Sequence, residues 1–265
     1  MKESLFGRVF LMPGRSLLEQ DIKQIRQRML QWVFEYDELR YKDVVFLENQ
    51  FYLHLGEDHL ALLEKHYQAE YLRCLLKDVE ANQYLDIDES KRKLDRQFKT
   101  YQVKIQEEKK KIDEAITWSY EPEIPIEDSR LMRKYYRKAV EALHPSLHPL
   151  QSQTQKQLFQ TAVSAYKRND LSILEMVYDN LQEEYVQERR YSLAEMVDLR
   201  YALLAASYEV QLEIAKVRSD CPYAIRYHIL VEEHCERIRQ GMRAKVERLE
   251  AKILVLESKL RDLTS

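Results

Sequence analysis

Glycine is nearly absent, with 4 residues in 265, and only 6 prolines accompany them. A sheet sandwich, a barrel or a glycine-rich nucleotide fold needs many tight turns, so this shortage excludes all three. Cysteine is scarce too. Cys74, Cys221 and Cys235 are too few and too scattered for a disulfide framework, which points to a reducing compartment. The longest apolar run, Tyr201–Ala206, has six residues, against about 18 or more for a membrane span. Lys2 and Arg8 stand near the start without the apolar block of a signal peptide. Neither sign of charge dominates, with 42 Lys and Arg against 45 Asp and Glu, a net of −3. That balance excludes a uniformly basic chain and an acidic disordered one. The expectation is a soluble, cytoplasmic, all-α protein outside any membrane.

What is abundant is helical periodicity. Leu18, Ile22, Ile25, Met29, Trp32, Tyr36 and Leu39 form a heptad seam. Ser16 and Glu19 fit a capping box that starts this helix after Pro13 and Gly14. Gly56, in the polar stretch 56–59, marks a turn. A second helix then runs from about Asp58 to Tyr84 and folds back on the first as a hairpin. Asp86 and Glu89 offer a cap for a third helix carrying Leu94, Phe98, Tyr101, Ile105, Ile112 and Ala115, with Glu108 interrupting its seam. Pro122 and Pro125 make 119–127 a linker. Asp170 caps a helix over 171–189, another runs from Ser192 to about Val217, and a last one from about Tyr223 to Leu263. That last helix holds a second seam from Met242 through Ile253 to Leu263. The chain thus divides into an N-terminal bundle or coiled coil (1–118), the linker (119–127), a helical hairpin (128–170) and a C-terminal helical arm (171–265).

The hairpin segment differs in charge from everything around it. Residues 130–170 carry eight Lys and Arg against Glu141 and Asp170, a local net of +6 that leaves −9 for the rest. Arg130, Arg133, Lys134, Arg137 and Lys138 recur at helical spacing and share one face. Leu131, Tyr135, Tyr136, Ala139, Val140 and Leu143 supply the opposite face. The helix ends at His144-Pro145, because proline disfavours helix in the residue before it. A polar loop follows, then a second amphipathic helix with Phe159, Ala162, Val163, Ala165 and Tyr166.

The run RLMRKYYRKAVEALHPSLHP…QKQLFQTAVSAYKRNDL resembles the central hairpin of a J domain, the module of DnaJ-type co-chaperones. The shared residues are Tyr136, Arg137 and Lys138, then His144 and Pro145, then Phe159, Ala165 and Tyr166. The resemblance covers about 40 residues, under a sixth of the chain. It implies that Arg133, Lys134, Arg137 and Lys138, with His144, Pro145 and Ser146 at the loop, form a surface for a DnaK-type chaperone. Two departures stand out. Ser146 occupies the position of the family's Asp, and a neutral hydroxyl makes weaker hydrogen bonds than a carboxylate. The short opening helix of the family is not recognisable. The implied link to a DnaK-type ATPase is therefore weakened or lost.

Other chemistry has less behind it. Glu141, His144 and His148 cannot share a helix face, because Pro145 and Pro149 intervene. Cys221, His228, His234 and Cys235 match no zinc spacing and read as helix-face residues. No nucleophile elbow, phosphate loop or dinucleotide fingerprint occurs. Nucleic-acid binding through the basic helix is a third reading, opposed by the acidic balance of the whole. The residues thus point to a binding protein rather than an enzyme, with no cofactor or metal. Its helical arms would hold a client or a second copy. A coiled-coil scaffold, with the hairpin only architectural, is the alternative.

Overall fold

The computed structural model describes residues 3–81, 87–183 and 191–264, with side chains over 14–81, 87–181 and 191–263. Among these residues every regular element is helical. Tyr84 and Asp86, and the end of the helix expected over 171–189, lie outside the described residues. No described helix is long and apolar enough to cross a membrane.

Helix α1 (Glu3–Glu38) continues through a π-helical turn (Leu39–Asp43) into α2 (Val44–Ala81). Ser16 is therefore interior to a helix and caps nothing, contrary to the sequence expectation. Gly56 is interior as well, and the expected turn and hairpin are absent. The glycine answers a packing demand instead: a Cβ at this position would lie 2.9 Å from Cγ1 of Ile112. A close helix approach, not chain reversal, is what this residue permits.

Contacts gather the chain into two compact units that cut across its linear order: Met1–Val45 with Pro122–Ala224, and Phe46–Glu121 with Ile225–Ser265. The sequence division follows local breaks such as the 119–127 linker. The units follow instead which apolar seams pair over long range.

In the first unit, α5 (Ile126–Leu143), α6 (Gln153–Lys167) and α7 (Leu171–Glu183) pack on one another, and α8 (Leu193–Ser219) lies along α1. Arg200 reaches Asp21, and Arg218 reaches Glu35, so α8 and α1 run parallel. The first heptad seam is thus buried by α8 rather than by α2. Its Ile22, Ile25 and Met29 share a core with Tyr136, Val140, Phe159, Tyr166, Leu174, Leu199 and Leu203. Local capping sets the helix starts. Ser152 and Ser192 each close a capping box, with Gln155 and Glu195. Asp170 Oδ1 accepts from the N–H of Ile173. The linker prolines stand in non-helical chain, as expected.

In the second unit, α3 (Ile87–Gln97) and α4 (Lys99–Ser119) run antiparallel to α2. Tyr71 meets Asp95, Tyr52 meets Glu108, and Phe46 meets Trp118. The expected third helix breaks at Phe98, which enters an aromatic cluster with Tyr67, Tyr71 and Tyr101. The last helix also differs. A 3-10 turn (Tyr223–Ile225) and short α9 (Arg226–Leu230) precede α10 (Glu232–Thr264). Helix α10 runs parallel to α2 through Asp58–Arg243, Lys65–Glu250 and Glu70–Lys252 contacts.

Candidate functional site

The residues that carried the family resemblance fall into two sets. Tyr136, Ala165 and Tyr166 are buried to 1% exposure or less. The Tyr136 and Tyr166 rings stack in parallel, 4.0 Å apart. Phe159 stacks on Tyr136 at 6.5 Å, and His144 meets Phe159 edge-on at 5.0 Å. One aromatic ladder therefore ties α5, the loop and α6 together, which is why these types recur at these spacings. Arg137 and Lys138 belong to the second set and stay exposed outside the ladder.

The loop is ordered by its own histidines. The Ser146 N–H donates to Nδ1 of His144, so the ring proton sits on Nε2. His148 Nε2 donates to the carbonyl of Glu141, 2.8 Å away. Burial, and then the neighbouring His148, push His144 down to about 4, so it is neutral at physiological pH. These bonds occupy both histidines with structural work. Among the described residues no group of three or more His, Cys, Asp or Glu is placed to hold a metal. His228 and His234, by contrast, do come together, with rings 5.3 Å apart. Pro145 is exposed and Ser146 half-buried at the tip of the hairpin.

Helix α1 docks against this hairpin through groups that sequence reasoning missed. The Tyr136 hydroxyl donates to Oδ2 of Asp37 at 2.7 Å, and the Tyr166 hydroxyl to Glu38. Asp37 is 2% exposed, and burial raises it to about 6 despite the Tyr136 hydrogen bond and nearby Arg40. Lys42, in the π turn, donates to the carbonyl of Tyr166 at 2.7 Å and also holds Asn169. Asn169 ends α6 in the left-handed region at φ 58°, where its short side chain is tolerated. Arg26 donates to the carbonyl of Leu147 in the loop. In a chain that is one-third charged, Asp37 and Glu38 look like any surface acids. Only their place on the α1 face beside Phe34 could have singled them out.

The basic face of α5 is consequently divided. Arg133 pairs with Glu38 at 2.7 Å, and the guanidiniums of Arg133 and Arg137 lie 5.9 and 5.6 Å from the Phe34 ring centroid. These two face α1. Among the described residues Arg130 and Lys138 pair within their own helix, with Glu127 and Glu141. Lys134 lies 5.9 Å over the ring of Tyr135 and pairs with no acid among the described residues. Arg130, Lys134 and Lys138 thus form an exposed cationic edge, continuous along one side of α5. Such an edge can dock an acidic surface, and nothing in its arrangement positions an acid, base or nucleophile for chemistry. No family model matches the chain, and no curated protein or solved structure matches it either.

Proposed function

We propose that this chain is a non-enzymatic protein-interaction adaptor, a J-domain-related protein that docks an acidic partner, such as a DnaK-type chaperone, without driving its ATPase. The observation that carries the reading is the exposed edge of Arg130, Lys134 and Lys138 beside the Pro145-Ser146 tip. Desolvation there is light and the charge is concentrated, which suits steering and orientation of a partner. Ser146 brings no carboxylate to the tip, so the docked state lacks the charged contact that triggers hydrolysis in the family it resembles.

The test is binding of a DnaK-type chaperone to the full chain and to the Lys134→Glu/Lys138→Glu variant, with helicity followed by circular dichroism. Affinity should fall at least about 10-fold, and more steeply at low salt, with helicity unchanged. Equal affinity in both proteins defeats the reading.

A second reading, the coiled-coil scaffold, draws on a different observation. Arg133, Arg137 and the loop carbonyl of Leu147 are all engaged by α1. In that case the hairpin serves to anchor α1, and charge reversal at Lys134 and Lys138 changes nothing.

A further inference from the structure

Helix α8 is apolar on two faces. Met196, Leu199, Leu203 and Ile214 are buried on one. On the other, Leu193, Val197, Tyr201, Leu204, Tyr208 and Leu212 are exposed and fall within an arc of about 100°. Tyr201 and Tyr208 are 62% and 66% exposed, and Leu212 is 50% exposed. A stripe of this kind covers about five helical turns, where an ordinary surface helix has charge. Ala215 within this arc and Ala205 at its edge are small and exposed, which leaves room for a second helix to approach.

The flanking charges specify what that helix is. Asp198 and Lys216 lie 18 residues apart, five helical turns, and so project on the same flank of the stripe. Both are exposed, and neither side chain pairs with another charge among the described residues. The flank is thus acidic at Asp198 and basic at Lys216, with exposed Glu209 near its middle. A parallel two-fold neighbour brings each flank against the opposite one, so Asp198 and Lys216 do not meet. An antiparallel one sets Asp198 against Lys216 at both ends, because a two-fold axis returns each flank to itself. It also opposes the two helix dipoles. Tyr201 and Tyr208 still expose about two-thirds of their surface, on the order of 150 Å² each. With the three leucines and Val197 the stripe supplies the larger part of the roughly 800 Å² per partner of a stable interface.

We infer that the outward face of α8 is a self-association surface, on which a second copy of this chain packs its own α8 antiparallel about a two-fold axis near Ser207. The dimer interleaves Tyr201, Leu204, Tyr208 and Leu212 from both copies and closes with two Asp198–Lys216 ion pairs.

The experiment is sedimentation equilibrium on the full chain at micromolar to tens of micromolar concentration. The native chain should be a dimer. Tyr208→Ser, at an exposed position that leaves the core intact, should raise the dissociation constant about 100-fold, since it removes a central aromatic twice. Asp198→Lys should raise it about 5-fold by facing two lysines. The Asp198→Lys/Lys216→Asp double variant should recover native affinity within about 3-fold, as only an antiparallel pairing restores both contacts. Circular dichroism confirms that each variant retains its helix content. A native monomer throughout, a dimer indifferent to Tyr208→Ser, or a double variant as weak as Asp198→Lys overturns the inference.

Discussion

Both units contain a tyrosine that donates to a carboxylate across two helices, and the two pairs behave in opposite ways. Tyr136 and Asp37 are buried in the first unit, 2.7 Å apart. Tyr52 and Glu108 are 2.9 Å apart in the second, at a half-buried site. Burial raises Asp37 to about 6, with no cation close enough to reverse it. At Glu108 burial is again the largest influence, but the hydrogen bonds from Lys111 and Tyr52, with His59 nearby, outweigh it and lower the pKa. The first pair holds a charge in the core at a cost and so depends on its single partner. The second is a surface network with members to spare. The difference teaches that the Tyr136–Asp37 contact between α1 and the hairpin has no substitute donor, whereas the Tyr52–Glu108 contact between α2 and α4 is graded.

Removing one partner breaks this contrast most directly. Tyr136→Phe strands a buried carboxylate and should destabilise the chain by about 2–3 kcal/mol in urea unfolding at pH 7. A smaller loss would mean that the acid finds water or another donor.

Acidification sharpens it next. The folded state takes up a proton on Asp37 near 6, while the unfolded chain does so only near 3.8, so folding gains stability as pH falls between these values. His144 works in the other direction. The unfolded ring protonates near 6.5 and the folded one only near 4, so stability is lost over the same range. The contributions of these two groups therefore oppose each other between pH 6.5 and 4. Asp37→Asn should uncover the loss and His144→Asn the gain, each on the order of 2 kcal/mol. Parallel curves for all three proteins would contradict the assignment.

Gly56→Ala probes the closest approach in the second unit. The added methyl meets Ile112, which is buried and stiff at its branch, and the clash should exceed the gain in helix propensity. The expected net loss is about 1 kcal/mol, visible as a lower melting temperature. The smallest effect belongs to Tyr52→Phe. Lys111 still holds Glu108, so the loss should stay at or below about 1 kcal/mol, well under that of Tyr136→Phe.

The extent to which this fold is legible in the sequence follows the range of the interactions. The helical class, the non-helical break at Pro122 and Pro125, the stop at His144-Pro145, and the starts at Asp170 and Ser192 depend on neighbours a few residues away. Each is a matter of proline geometry or a capping oxygen. The partner of the first seam is a long-range choice between several apolar stripes. Periodicity alone could not select α8 over α2, and Gly56 misled because a packing glycine and a turn glycine are the same letter. The candidate site is legible by halves. Basic spacing marked the α5 face, but its division between Arg133 and Arg137 on one side and Lys134 and Lys138 on the other depends on where α1 lies. Tyr136, His144, Phe159 and Tyr166 stood out as a motif for what proves to be packing.

The central claim, docking without the trigger, is met most directly by single-turnover ATP hydrolysis on a DnaK-type chaperone, with the native chain and with Ser146→Asp in parallel. The proposed reading predicts no acceleration by the native chain and acceleration by Ser146→Asp, whose carboxylate restores the charged contact at an intact docking surface. Silence from both proteins, with binding absent and helicity intact, would contradict it and leave the hairpin as architecture for α1.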